Sequence, residues 1–226
     1  MAEGAGQRHD HGVWRLKRGI FITFEGGEGS GKSTQAKRLT EHLKAQGHDF
    51  VLTREPGGTP EGEALRALLV SGEIGQWSAA SEAMLMSAAR EAHVRTVIKP
   101  ALTAGRNVIS DRFMDSTRVY QGFAGGADSA LIQALEHAAV GDCIPDLTLI
   151  FDLLPVMGLA RAKARGTSNE DSFERKGLAF HDRLREGFHA LAKAEPQRCK
   201  LVDAARPEER VFEQVATLAE ARLHRG

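Results

Sequence analysis

The 226 residues, 42% hydrophobic and 27% charged, suffice to bury the core of one α/β domain and are too few for two large ones. Thirty basic and thirty acidic side chains cancel, which excludes a diffuse positive field for nucleic acid. Two cysteines without metal-type spacing, Cys143 and Cys199, exclude a disulfide framework and fit small buried groups in a reducing compartment, while no apolar stretch has the length of a membrane span. A cytoplasmic chain without a membrane or nucleic-acid partner is expected.

Residues 1–18 mix Gly, His, Asp and Arg without periodicity and read as a flexible N-terminal extension, in which His9 and His11 have the chemistry to bind metal but, as two histidines in a loose tail, are far more often without a role. Residues 19–226 then read as a single domain. Ile20 to Phe24 is a nearly continuous apolar run, as in a parallel strand buried on both faces. It is followed by Gly26-Gly27-Glu28-Gly29-Ser30-Gly31-Lys32-Ser33, which fits Gly-x4-Gly-Lys-Ser/Thr at every fixed position, with Thr34 next. Ser33 to Gln46 has helical spacing (Ala36, Leu39, Leu43) and stops at Gly47. Strand, glycine loop and helix stand in the order of a P-loop: glycines turn backbone N–H groups onto phosphate oxygens, and the helix N-terminus adds positive potential. Lys32 is expected to reach the terminal phosphates and Ser33 to ligate Mg2+.

Asp49 to Thr53 reads as a second strand, and the turn Arg54-Glu55-Pro56-Gly57-Gly58-Thr59-Pro60 after it is placed to touch a ligand beyond the strand ends; the alternative is a plain Pro-Gly turn, which does not require the adjacent Arg54 and Glu55. Pro60 to Val70 is a short helix and residues 71–76 a loop. A long helical pattern runs from Ser78 to about Leu102, with Met86 and Arg90 four apart on one face, an apolar contact beside a guanidinium that suits a planar base, although such a pair taken alone is more often a surface arginine near a core methionine. Asn107 to Ser110 is a third strand ending in Asp111-Arg112-Phe113. A carboxylate there is where P-loop enzymes keep an acid for Mg2+ or its waters, and Arg112 beside it can clamp a phosphate. Asp115 to Gln121 is a polar helical start near the same place, and Ala127 to Val140 another helix. Leu147 to Asp152 and Lys200 to Asp203 are the fourth and fifth strands. Between them lie the helix Pro155 to Ala164, the basic run Arg161, Lys163 and Arg165 before Gly166, and a helix from Phe173 to Lys193; Pro207 to Leu223 closes the chain. By chemistry alone the basic run is equally a set of helix-end cations or a catalytic lid. Five strands alternating with helices predict a five-stranded parallel sheet flanked by helices.

Taken together, Phe24-Glu25-Gly26 through Thr34, Arg54 to Thr59, Ala88-Ala89-Arg90 with His93, Ile98 to Leu102 and Asp111-Arg112-Phe113 resemble thymidylate kinase in its bacterial form. Ser116-Thr117, Tyr120-Gln121-Gly122, Pro145 to Thr148 and Arg161 to Gly166 continue the match in the family's order. The resemblance implies a P-loop nucleoside monophosphate kinase with a small lid at about residues 161–172, moving the γ-phosphoryl group of ATP to dTMP with Mg2+, as a homodimer. It implies that Gly26, Gly27, Gly29, Ser30, Gly31, Lys32, Ser33 and Thr34 hold ATP. Glu28 would meet the acceptor sugar and help place Mg2+ with Ser33 and Asp111, Arg112 would clamp the acceptor phosphate, and Arg90 would bond the thymine edge. Arg54, Glu55, Pro56, Met86, Thr117, Tyr120 and Gln121 would complete the acceptor site, Tyr120 crowding the ribose 2′ position; Arg165, with Arg161 second, would supply the lid cation. Two departures stand out: Met86 replaces an aromatic that stacks on thymine, and Ser172 an arginine after Asp171. A kinase of another small acceptor is the alternative. A GTP-binding switch lacks its Asn-Lys-x-Asp motif here.

Overall fold

The computed structural model describes residues 18–70, 76–164 and 176–224. The expected N-terminal extension up to residue 17, the loop at 71–75, and the expected lid from Arg165 through Gly166, Asp171 and Ser172 lie outside the described residues.

Five strands, β1 (Phe21–Gly26), β2 (Phe50–Arg54), β3 (Asn107–Asp111), β4 (Leu147–Asp152) and β5 (Cys199–Asp203), form one parallel sheet in the order β2-β3-β1-β4-β5. The chain leaves central β1 toward one edge for β2 and returns past it for β4, so the strand order switches direction at the carboxyl end of β1, where an open α/β sheet leaves a crevice. Register sets Asp111 beside Phe24 and Phe151 beside Gly26.

Alternation along β1 divides the molecule. Ile22 and Phe24 enter a core with α1 (Lys32–Ala45) and, beside it on the same face of the sheet, α9 (Glu208–Leu223), through Leu39, Leu43, Leu149, Val202 and Val215. Phe21 points to the opposite layer, against Val94, Ile98, Leu102 and Phe113. Thr23 and Glu25, of the same parity as Phe21, are fully buried polar residues. Thr23 bonds Thr148 at 2.9 Å, and Glu25 accepts from the Phe113 N–H at 2.8 Å and the Ser116 hydroxyl at 2.6 Å.

After α2 (Pro60–Val70), the long expected helix is seen as α3 (Ala79–His93), a π-helical turn (Val94–Ile98) and α4 (Lys99–Thr103). Pro100 explains the widening: it lacks an N–H and its ring clashes with the carbonyl four residues back. The expected polar helix after β3 is α5 (Met114–Thr117) continuing into π-helical Arg118–Ala124, which buries Tyr120 and Gln121. α6 (Ser129–Val140) is capped by the Asp128 carboxylate, α7 spans Pro155–Ala164, and α8 begins at Leu178 and ends at Ala194. Cys143 and Cys199 are buried free thiols. No helix of the described residues is long and apolar enough to cross a membrane.

Candidate active site

The glycine loop leaves β1 at Gly26, whose φ of 129° brings its Cα so near β4 that a Cβ would lie 2.5 Å from the Phe151 carbonyl. Gly31, with φ 89°, opens α1 without a side-chain cap, which leaves the first N–H groups of the helix for a ligand. The Lys32 ammonium bonds the Gly27 carbonyl at 2.7 Å and Ser30 Oγ at 3.2 Å, and the Ser30 hydroxyl donates to the same carbonyl at 2.8 Å. Burial, and next the Arg112 charge, pull the Lys32 ammonium down to about 8, against the opposing pull of Glu28 and Asp111. Phosphate oxygens would reverse that shift, since they add negative charge where the site is cation-rich. Ser33 and Thr34 are exposed at the start of α1.

Asp111 ends β3 beside the loop. Its Oδ2 takes a short hydrogen bond from the Ser33 hydroxyl, whereas its buried Oδ1 has no partner among the described residues. An orphaned carboxylate oxygen beside a hydroxyl, on hard oxygen donors only, suits Mg2+ shared with phosphates. Among the described residues no group of three His, Cys, Asp or Glu makes an all-protein cage.

Arg112 follows at φ 69°, the left-handed region that costs a non-glycine residue about 1–3 kcal/mol. The turn aims its guanidinium at the glycine loop, where Nη2 meets Glu28 Oε1 at 2.7 Å and Tyr120 Oη at 2.9 Å, and Nη1 meets the Gly26 carbonyl and Ser116 Oγ at 3.1 Å each. Tyr120 donates to Glu28 at 2.7 Å. Burial by itself would raise the Glu28 carboxyl, but Arg112, Lys32 and the tyrosine bond outweigh it and hold it at about 2. The carboxylate in the phosphate loop is thus turned onto a protein cation. Glu25, behind this clamp, is pushed up to about 7 by burial and then by the Asp115 charge.

A second buried cation stands farther in. Arg90, 3% exposed, gives Nε to Glu55 at 2.8 Å and Nη2 to the Phe113 carbonyl at 3.1 Å and Thr117 Oγ1 at 3.0 Å. His93 Nδ1 donates to the other Glu55 oxygen at 3.0 Å, because a carboxylate only accepts, and its Nε2 faces the Thr53 hydroxyl at 2.7 Å. Glu55 therefore holds Arg90. Its neighbour Arg54 pairs with Glu63 at 2.9 Å, and a Cβ on Gly58 would strike His93 and Thr53, each at 2.7 Å. One cavity of about 260 Å³ joins the glycine loop to Arg54, Glu55, Pro56, Met86, Arg90, Arg112, Thr117, Tyr120 and Gln121. Arg161, on exposed α7, instead donates to the Ala204 carbonyl at 3.1 Å.

The family model for thymidylate kinase matches residues 24–215. This chain belongs to the thymidylate kinase family. It is 54% identical over 189 residues to the thymidylate kinase of Caulobacter vibrioides, covering 84% of this chain and 90% of that one. To the thymidylate kinase of Afipia carboxidovorans it is 50% identical over 210 residues, 92% of each chain. The solved structure of thymidylate kinase from Ehrlichia chaffeensis, 35% identical, superposes with a TM-score of 0.72 over 90% of this chain and 99% of that one.

Within this thymidylate kinase fold, three residues at the site escaped the sequence reading: Arg66, which lines the cavity and donates to the Pro56 carbonyl at 3.3 Å, Gly158 and Glu82. Gly158, in the middle of α7, touches the glycine loop backbone to backbone: a Cβ there would lie 2.3 Å from the Glu28 carbonyl, and one on Gly29 2.0 Å from the Gly158 carbonyl. No local pattern marks a glycine whose partner is 130 positions away. Glu82 accepts from Gln121 at 3.0 Å and from Lys176 at 3.1 Å. It was within reach of sequence reasoning, since Glu82, Met86 and Arg90 recur at four-residue steps on one helix face.

Proposed function

We propose that this chain transfers the γ-phosphoryl group of ATP to dTMP, giving dTDP and ADP. One observation carries the reading: a single cavity runs from the glycine loop past Arg112 to Arg90, so a donor triphosphate and an acceptor monophosphate can meet in it. An acceptor phosphate oxygen bonds to the γ-phosphorus as the bond to the β–γ bridging oxygen breaks. The acceptor is already ionised, so the protein's work is alignment and positive charge.

Gly26 to Thr34 would cradle the donor phosphates, and Lys32 would exchange the Gly27 carbonyl for phosphate oxygens. Ser33 and Asp111, with Glu28 near them, would hold Mg2+, which supplies charge to the donor phosphates. Arg112 would exchange part of its bonding to Glu28 and Tyr120 for the acceptor phosphate. Arg54 and Pro56 would flank the sugar, Met86 would pack on the base face, and Arg90, set by Glu55, would bond the base edge beside Thr117 and Gln121. The glycine loop itself has no arginine, so the remaining catalytic charge is assigned to Arg165, with Arg161 second after release from Ala204. A homodimer in the cytoplasm, with ATP and dTMP as its ligands, completes the proposal.

The test is a steady-state comparison of dTMP, dUMP, AMP and thymidine as acceptors, on the parent and on Lys32→Met. The reading expects dTMP to have the highest kcat/KM and Lys32→Met to lose turnover steeply while remaining folded. A preference for thymidine or AMP, or unchanged turnover in the variant, refutes it.

A further inference from the structure

The base end of the cavity is built from two buried polar side chains whose orientation is imposed from behind. Arg90 commits Nε to Glu55 and Nη2 to Phe113 and Thr117, while Nη1 has no hydrogen-bond partner among the described residues. Gln121, 2% exposed, also lines the cavity. Its Nε2 donates to Glu82 Oε2 at 3.0 Å, and Lys176 binds both oxygens of the same carboxylate at 3.1 and 3.3 Å. Glu82 is itself 7% exposed.

A side-chain amide has a donor end and an acceptor end, and a carboxylate takes only the donor end. With its NH2 group on Glu82, Gln121 has its carbonyl oxygen left for a ligand, and that oxygen accepts no hydrogen bond among the described residues. The base end therefore offers a donor from Arg90 and an acceptor from Gln121. A 4-keto pyrimidine presents the complement along one edge, an acceptor at O4 and a donor at N3–H; a 4-amino pyrimidine presents both reversed, leaving buried groups unpaired.

Resting on the monophosphate-kinase reading, we propose that Glu82 is a positioning residue for specificity: it fixes the Gln121 amide with its oxygen toward the cavity, and so makes the acceptor site reject cytosine nucleotides. A site that hydrogen-bonds its ligand discriminates strongly because the wrong ligand strands its polar groups. Lys176 offsets the buried charge that this requires.

The measurement is the ratio of kcat/KM for dTMP to that for dCMP, with ATP, in the parent, Glu82→Gln, Glu82→Asp, Gln121→Leu and the double variant Glu82→Gln with Gln121→Leu. An amide at position 82 can donate as well as accept, which frees Gln121 to turn, so the ratio should fall at least about tenfold, through KM more than kcat. Glu82→Asp, still an acceptor only, should keep most of the discrimination. Gln121→Leu should lower the ratio as Glu82→Gln does, and adding Glu82→Gln to it should change the ratio no further. Should Glu82→Gln fail to fold, Gln121→Leu decides: an unmoved ratio overturns the proposal. So does a loss in the double variant equal to the product of the two single losses. A parent chain that phosphorylates neither nucleotide overturns the underlying reading as well, a result distinct from an active parent whose ratio does not respond.

Discussion

Gly158→Ala sets helix propensity against packing at one position. In an isolated helix the change would stabilise by about 1 kcal/mol, because glycine has more backbone freedom to lose. Here the new Cβ would lie 2.3 Å from the Glu28 carbonyl oxygen, and ordinary contact begins near 3.4 Å, so α7 and the glycine loop have to separate by about 1 Å. Both contacting groups are backbone, and no side chain can rotate away. Overpacking of this kind costs about 1–3 kcal/mol, so the variant should be less stable than the parent by about 0–2 kcal/mol. Kinetics should suffer more: a 1 Å displacement of positioning groups is worth about 100-fold in rate. The assay pairs kcat with urea unfolding of the ligand-free protein, and the control is Ala160→Gly, exposed on the same helix. That control should lose about 1 kcal/mol and keep kcat. A Gly158→Ala protein that is more stable than the parent and turns over within about threefold of it would refute the reasoning.

Glu55→Ala leaves the Arg90 guanidinium buried without its carboxylate and should cost about 3–5 kcal/mol in urea unfolding, with KM for dTMP rising; a cost under 1 kcal/mol would show that water or another group replaces Glu55. Glu25 concerns pH. Its carboxyl is raised to about 7 by burial, Asp115 adding to it and Arg112 opposing, so between pH 4.5 and 7 the native state keeps a proton that the unfolded state has released. Stability from this group is full below 4.5 and is lost as pH rises through 7. Glu25→Gln should therefore gain stability relative to the parent from pH 5 to 7.5, by up to about 3 kcal/mol; a parallel pair of stability curves would count against it. Tyr120, 5% exposed and bonded to both Glu28 and Arg112, is the residue assigned to sugar selection. Tyr120→Ala should raise the kcat/KM of ribo-TMP relative to dTMP by about tenfold or more, and an unmoved ratio would make Tyr120 a core residue only.

The sequence by itself determined the sheet and the glycine loop, because both are local. Short, nearly continuous apolar runs rich in aromatic and β-branched residues, such as Ile20 to Phe24 and Leu147 to Phe151, read as strands covered on both faces, and glycines before Lys32-Ser33 are a backbone requirement that a short window carries. Residue chemistry already offered Arg90 and Arg112 as ligand contacts, resemblance gave them the thymine edge and the acceptor phosphate and added Tyr120, and the structure sets all three around one cavity. Tertiary structure alone decided what each charged group faces. Glu28 is expected from resemblance to meet the acceptor sugar, but Arg112, 84 positions on, makes it half of an ion pair. Glu55 reads in sequence as part of a turn that touches a ligand, but its carboxylate is taken by Arg90 and His93, which makes it the support of the base pocket. The π-helical segments Val94–Ile98 and Arg118–Ala124, the second of which buries Tyr120 and Gln121, have no sequence period of their own. Burial and electrostatic pairing depend on distances through space, so a charge whose partner lies on another element stays undetermined until the chain has folded.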